Sequence, residues 1–244
     1  MLQPDDYLEA DLGDRAVAFF TTRRGGVSSG PWAGLNLSPS SGDAPEAVAH
    51  NRQAVAATIG ARLVGMHQVH GNTVATVDSA ALAGSAPSAD ALITRDPEVG
   101  LTVLVADCVP ILLVEPHARI VAAIHAGRRG VSEGIVPETI AELEKLGGRA
   151  RAVRAAIGPA ICGACYEVPA AMRAEVAREM PGCASETSWG TPALDLPRGV
   201  TQQLQAAGVQ QVHNLDVCTF EDLQTYSYRR SPNTGRSAGV IRLK

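Results

Sequence analysis

An α+β fold is expected here: a single domain spanning residues 1–244, built of mixed β-sheets with helices packed on them. Three observations predict it. Apolar or alternating runs of strand length outnumber helical patterns. The strands come in clusters with helices inserted singly, unlike a regular βαβ winding. Neither an internal repeat nor a low-complexity linker divides the chain. The loosest stretches, 25–43 and 181–197, each have chemistry-bearing motifs on both sides, so neither marks a domain boundary.

In chain order, the runs at 16–21, 63–68, 73–77, 91–94, 101–106, 111–114, 120–125, 153–157, 212–216 and 238–243 read as strands. Asp43 with Glu46 three residues on reads as a capping box, and Val48, Val55 and Ile59 then form one apolar helical stripe. A second helix is expected over 132–146, stopped by Gly147-Gly148. Pro137 falls inside it, where it should kink the helix or delay its start. Two more helices are expected over 170–180 and 198–207.

Composition narrows the function classes. A hydrophobic fraction of 45% with 19% charged residues supplies a core and argues against disorder. Net charge −4 gives no electrostatic footprint for nucleic acid or an anionic membrane. The most apolar stretch, 101–114, is interrupted by Asp107 and Pro110 and is too short to span a bilayer. The first residues are acidic and polar, without the pattern of a secretory signal. The five cysteines are therefore expected to be reduced thiols or ligands, and the compartment the cytoplasm.

Several segments carry chemistry. His67-Gln68-Val69-His70-Gly71 ends an expected strand, so alternation puts Gln68 and His70 on one face. His70 is either a ligand or a polar residue at a strand end. Ala106-Asp107-Cys108 interrupts the most hydrophobic stretch; a carboxylate there must be paired, hydrogen-bonded or metal-linked, while Cys108 is a ligand, a nucleophile or one more buried thiol. Ile120–Ile124 delivers His125 to a strand end, and Gly127-Arg128-Arg129-Gly130 then opens a helix, an arrangement suited to an anion or simply a solvated turn. Together His70, Cys108 and His125 form a donor set suited to zinc, with a coordination position left open. Such a site lowers the pKa of water towards about 7, and Asp107 is placed to orient that water or shuttle its proton.

Other motifs are less directed. Cys162-Gly163-Ala164-Cys165 is a CxxC with no partner pair visible, so a structural zinc site there is unsupported, and Cys183 and Cys218 read as incidental. The turn at 21–28 is rich in Arg, Gly and hydroxyls. The cluster Tyr226-Ser227-Tyr228-Arg229-Arg230 with Arg236 combines aromatics and guanidiniums that either stack on a planar base or pack on each other.

Taken in order, Thr22-Arg23-Arg24-Gly25-Gly26-Val27-Ser28, Leu35-Asn36-Leu37, Gln68-Val69-His70-Gly71, Ala106-Asp107-Cys108, His125-Ala126-Gly127-Arg128-Arg129-Gly130, Ile157-Gly158-Pro159, Cys165-Tyr166-Glu167-Val168 and Ser227-Tyr228-Arg229-Arg230 resemble the YfiH-type laccase-domain, or polyphenol oxidase, family. The resemblance runs from about residue 15 to the C-terminus. It implies a single α+β domain of the YfiH/CNF-like cysteine-hydrolase type, and a zinc held by His70, Cys108 and His125. It also implies phosphorolysis of adenosine, inosine, guanosine and methylthioadenosine, together with hydrolytic deamination of adenosine to inosine. The family's arginines fall on Arg23 and Arg129. One departure stands out: Arg128 occupies a position that is usually Trp.

The catalytic candidates are therefore Asp107, Cys108 and His125, and the substrate-binding candidates Arg23, Asn36, Gln68 and Arg129. Purine nucleosides and phosphate are the expected partners of a monomer or weak homodimer. Three other readings compete. A Cys108–His125 hydrolase or amidase, such as a cell-wall precursor editing enzyme, uses the same residues. A copper polyphenol oxidase is disfavoured, because six histidines with no His-x-His pair cannot build a multicopper centre. A binding or structural module leaves the Arg-rich turns and the donor set unexplained.

Overall fold

Two β-sheets face each other across an apolar interlayer in the computed structural model, which describes residues 1–244, Leu82 by its backbone alone. The first sheet has five strands in the order β1 (Tyr7–Glu9), β2 (Ala16–Thr21), β13 (Ser237–Leu243), β6 (Val99–Val105) and β3 (Arg62–Val64). The second has six, in the order β12 (Gln211–Asn214), β9 (Arg154–Ile157), β7 (Val109–Glu115), β8 (Ile120–Ala126), β5 (Ala91–Thr94) and β4 (Val74–Thr76). Both are mixed: β3 pairs with β6, β9 with β12 and β4 with β5 in parallel, and the remaining pairs are antiparallel. A separate hairpin joins β10 (Ala184–Glu186) to β11 (Pro192–Leu194).

The two-residue period of a strand decides which core each side chain joins. Along β7, Leu112 and Val114 meet Phe20, Leu101, Val103 and Ile241 between the sheets. Ile111 and Leu113 point the other way, to α3 (Ile135–Lys145) and α5 (Leu196–Ala206), which bury Ile140, Leu143, Val200 and Leu204. On the far side of the five-stranded sheet, α1 (Pro45–Ile59) lays Val55 and Ile59 on Phe19 and Val240. The result is four layers, helix–sheet–sheet–helix. Strands buried on both faces read as continuous apolar runs, which is why β7 and β8 have no exposed position. Among the described residues no helix is long and apolar enough to cross a membrane.

Several local expectations are corrected. The helix after Asp43 begins with Pro45, whose fixed φ suits the first turn. Asp43 lies one position too early to cap it, and its carboxylate accepts instead from the Ala44 N–H and from Asn36 Nδ2. The helix expected over 132–146 is two, α2 (Arg128–Ser132) and α3, parted by Gly134 at φ +81°. Pro137 thus sits in the first turn of α3, where its missing N–H breaks no bond. The strand expected over 63–68 stops at Val64, so strand alternation does not pair Gln68 with His70. The three-residue strands β1, β10 and β11 were too short to leave a periodic signal.

Phe20 is fully buried against backbone that must be glycine. A Cβ on Gly158 would lie 2.3 Å from Phe20 Cδ1. Gly158→Ala should therefore overpack the interlayer and lower stability by about 1–3 kcal/mol. Equilibrium urea unfolding would measure this, with partial recovery expected in Gly158→Ala/Phe20→Leu.

Candidate metal centre and cleft

Three chain segments bring His70, Cys108 and His125 together: the loop after β3, the β6–β7 turn and the end of β8. One ligand atom from each lies within 4.8 Å of the others. The two imidazoles meet edge to face, centroids 4.7 Å apart at 88°. His125 is buried, Cys108 half-buried and His70 exposed to the cleft. The expected donor set is thus a cluster in space, although His70 reaches it from a loop.

Asp90, wholly buried just before β5, arranges that cluster. Its Oδ1 accepts from His125 Nδ1 at 2.8 Å and from the His70 N–H at 3.0 Å. Its Oδ2 accepts from the Gly71 N–H at 2.8 Å and the Val69 N–H at 3.3 Å. Those successive N–H groups form a nest around the carboxylate, and they hold His70 at φ +59°, a left-handed conformation that is uncommon for a non-glycine residue. With Nδ1 committed to Asp90, the His125 ring turns Nε2 toward Cys108 and His70. Burial acts to raise the Asp90 pKa, but the bonds from His125, Gly71 and His70 outweigh it and hold the carboxyl below its ordinary range.

The same packing couples Cys108 to His125. Burial disfavours the thiolate, yet the hydrogen bond and charge of His125, and then of His70, bring Cys108 down to about 6. Burial likewise opposes the imidazolium, but Asp90 and Cys108 raise His125 to about 9. Without a metal the pair is therefore thiolate–imidazolium between those values. A metal replaces the His125 proton, and two imidazoles with a thiolate are a zinc-type donor set. The space fits as well: a Cβ on Gly127 would lie 3.0 Å from His70 Cδ2, 3.3 Å from Cys108 Sγ and 3.5 Å from His125 Cε1. Glycine at position 127 keeps the ligand atoms clear.

The cluster floors a cleft of about 610 Å³. Its walls carry Arg128, Arg129, Tyr166, Tyr228, Arg229 and Arg236. Arg229 lies 4.9 Å from the Tyr166 ring centre and Arg236 5.8 Å from that of Tyr228, both in the range of cation–π contact. Burial first, and the charge of Cys108 next, push the Tyr166 phenol above its ordinary range, so it stays a proton donor. Arg129 sits at the exposed rim, paired with Glu133 at 3.1 Å.

Other expected site residues act on loops. Gln68 borders the cleft, but its amide is spent on Leu104, donating to the carbonyl and accepting from the N–H, each at 2.9 Å. Asp107, at φ +89°, accepts from Thr219 Oγ1 at 2.7 Å and from the Arg229 N–H at 2.6 Å, so both carboxylate oxygens are engaged. Arg23 and Asn36 do not border the cleft. Arg23 lies over Tyr226 and donates to the Ala33 carbonyl. Asn36, fully buried, accepts from the Arg236 N–H at 2.9 Å and so steadies a segment that does reach the cleft. Sequence reasoning missed Asp90; the available signal was a carboxylate at the head of an apolar strand, which must find donors when buried.

Frame and site together define a single-domain α+β protein with a two-histidine, one-cysteine cluster at the floor of an arginine- and tyrosine-lined cleft. Residues 17–244 match the family model described as multi-copper polyphenol oxidoreductase laccase, and the chain belongs to that family. It is 46% identical over 226 residues to a purine nucleoside phosphorylase of Corynebacterium glutamicum, covering 91% of this chain and 92% of that protein. It is 47% identical to a purine nucleoside phosphorylase of Streptomyces coelicolor, covering 91% and 93%. Among solved structures, YlmD from Geobacillus stearothermophilus superposes with a TM-score of 0.91 at 33% identity, covering 100% of this chain and 98% of that one. A DUF152-family protein of Neisseria meningitidis gives 0.89 at 33% identity, covering 98% and 99%.

Two outcomes follow from the Asp90 network and the coupled pair. Asp90→Asn should weaken zinc binding by about 10- to 100-fold, as loss of a partner behind a ligand typically does, measured by competition with a chromogenic chelator. In wild type, affinity for added zinc should rise with pH up to about 9, because binding displaces the His125 proton, and flatten above that value.

Proposed function

We propose that the cleft binds a purine nucleoside with phosphate and catalyses phosphorolysis to the free base and ribose 1-phosphate, and that with zinc bound it also deaminates adenosine to inosine. The observation that carries this reading is the His70–Cys108–His125 cluster at the floor of a cleft whose walls alternate guanidiniums with tyrosines. The relatives named purine nucleoside phosphorylase support the substrate class. Adenosine, inosine, guanosine and methylthioadenosine are the nucleosides proposed.

Each step has a chemical requirement that the residues meet. The rings of Tyr166 and Tyr228 offer flat faces for a purine. Arg128, Arg129, Arg229 and Arg236 supply fixed cationic donors for phosphate. In phosphorolysis a phosphate oxygen bonds to the ribose C1′ as the C1′–N9 bond breaks, and the departing base takes up a proton. Tyr166, kept protonated by its surroundings, is the proposed hydrogen-bond donor to that base or to the phosphate. His70, Cys108 and His125 would hold the zinc, which supplies Lewis acidity that makes water nucleophilic near neutral pH, as deamination at C6 requires. Asp107 accepts from Thr219 on one oxygen and from the Arg229 N–H on the other, so its proposed role is to position the β6–β7 turn beside Cys108, with a lone pair left on each oxygen for a proton.

A second reading rests on a specific observation. The metal-free thiolate–imidazolium pair is the activated form of a cysteine nucleophile. Metal content separates the two readings, since a metal-tied thiolate is a poor nucleophile. Copper oxidase chemistry finds less support: only one potential ligand cluster among the described residues contains histidine.

The deciding assay incubates purified protein with adenosine, with and without phosphate, and separates the products by chromatography. Adenine should appear only with phosphate and inosine without it, and His125→Ala should abolish both while releasing one equivalent of zinc. Arg128→Ala should raise KM for phosphate by roughly tenfold or more, the scale of one charged hydrogen bond, with KM for adenosine changed less. Intact nucleosides beside a zinc-free protein would overturn the reading in favour of a Cys108 hydrolase.

A further inference from the structure

Behind the cleft lies a separate groove of about 700 Å³, bordered by Cys162, Arg198, Cys218 and Glu221 and by none of the His70–Cys108–His125 cluster. At its edge the CxxC segment, which had no visible partner in the sequence, meets one. One ligand atom each from Cys162, Cys165, Cys218 and Glu221 lies within 4.8 Å of the others. Cys218 is therefore not incidental.

The backbone forces this meeting. Ala160 and Cys218 form a parallel bridge, with the Ala160 N–H donating to Val217 and the Thr219 N–H to Ala160. The Cys165 N–H then turns back to the Cys162 carbonyl at 3.1 Å, which returns the second thiol of the pair to the first. Gly163 permits that turn, because a Cβ there would lie 2.7 Å from Asp195 Cβ. On the other strand of the bridge, the Asp222 N–H donates to the Cys218 carbonyl at 2.9 Å, a helical turn that swings Glu221 to the side of Cys218. Two ligand pairs with two-residue spacing, Cys162/Cys165 and Cys218/Glu221, thus face each other. Cys165 Sγ lies 3.3 Å from Glu221 Oε1, and the Cys162 N–H points at Cys218 Sγ at 3.5 Å.

We propose that Cys162, Cys165, Cys218 and Glu221 form a second, structural zinc site, separate from the centre in the cleft. Zn–S bonds of about 2.3 Å in a tetrahedron put neighbouring sulfurs about 3.8 Å apart, so the four atoms need only close in slightly around one ion. Four protein ligands close the coordination shell, which is the mark of a structural site; three thiolates select a soft or borderline metal such as zinc over magnesium or calcium. The ion would join a loop that builds the cleft wall to one that holds the Asp107 carboxylate at the cleft edge. Tyr166 follows Cys165 directly, and Thr219, which donates to Asp107, follows Cys218 directly. The proposal does not depend on the reaction assigned to the cleft.

Metal stoichiometry of the full chain, purified after expression in zinc-supplemented medium, tests it. Wild type should hold two zinc ions per chain, while His125→Ala and Cys165→Ser/Cys218→Ser should each hold one. Reconstitution of the apoprotein with cobalt(II) should give thiolate charge-transfer absorption that persists in Cys108→Ser and weakens in Glu221→Gln. The cobalt spectrum of Cys108→Ser decides the matter if the double serine variant fails to fold. One zinc in wild type, lost completely in His125→Ala, would overturn the site. So would a disulfide among Cys162, Cys165 and Cys218 in zinc-replete protein, detected by mass spectrometry without reduction. A wild type whose single zinc survives in His125→Ala would refute the cleft centre and leave this site standing.

Discussion

A carboxylate with no access to water must be surrounded by donors, and the way Asp90 meets that demand organises the centre. Its two oxygens accept from the backbone of Val69, His70 and Gly71 and from the ring of His125. Its carbonyl accepts from the His125 N–H, and its own N–H donates to Thr73. One residue therefore links β5, β8 and the loop after β3. Without the charge, the left-handed turn at His70 has nothing to compensate its strain, and the His125 ring has no preferred nitrogen to present. A fully satisfied buried network is rigid; a partly satisfied one is costly. The positions of two of the three clustered side chains thus rest on one residue that does not itself border the cleft.

The cleft above uses the same device repeatedly. Its walls come from chain segments far apart in sequence, and each is tied to the sheets by one polar side chain. Gln68 grips Leu104 as another strand would, Asp107 holds Thr219 and Arg229, and Asn36 holds Arg236. Polar residues in loops that look in sequence like substrate contacts have here gone mostly to fixing loops. Above the cluster, guanidiniums and tyrosine rings make up much of the polar lining that remains.

Much of the frame was legible because burial leaves a period. Strands such as 91–94 and 238–243, and helices such as that expected over 198–207, were readable from apolar spacing, because one face or both meet a core. The donor set was legible from residue chemistry and from motif order. Features set by contacts distant in sequence were not. Asp90 and His125 are 35 positions apart, and the bridge joining Ala160 to Cys218 spans 58. Nothing local around Cys218 marks it as the neighbour of a CxxC. Conversely, Asp43 and Glu46 had the spacing of a helix cap, yet Pro45 moved the helix start and Asn36 claimed the carboxylate. Local rules fail where a long-range partner bids for the same atom.

The place of β13 in its sheet bears on how the chain can fold during synthesis. β13, made long after β2 and β6, lies between those two strands. Until Ser237–Leu243 clears the ribosome, those two strands lack their shared neighbour, and the apolar interlayer stays open on that side. The six-stranded sheet lacks no strand by residue 214, so it can form earlier and wait with one face uncovered. A chain with that face open is exposed to aggregation in the way unpaired edges and uncovered apolar faces generally are, so yield in the cell would turn on chaperone supply as well as on the stability of the finished molecule.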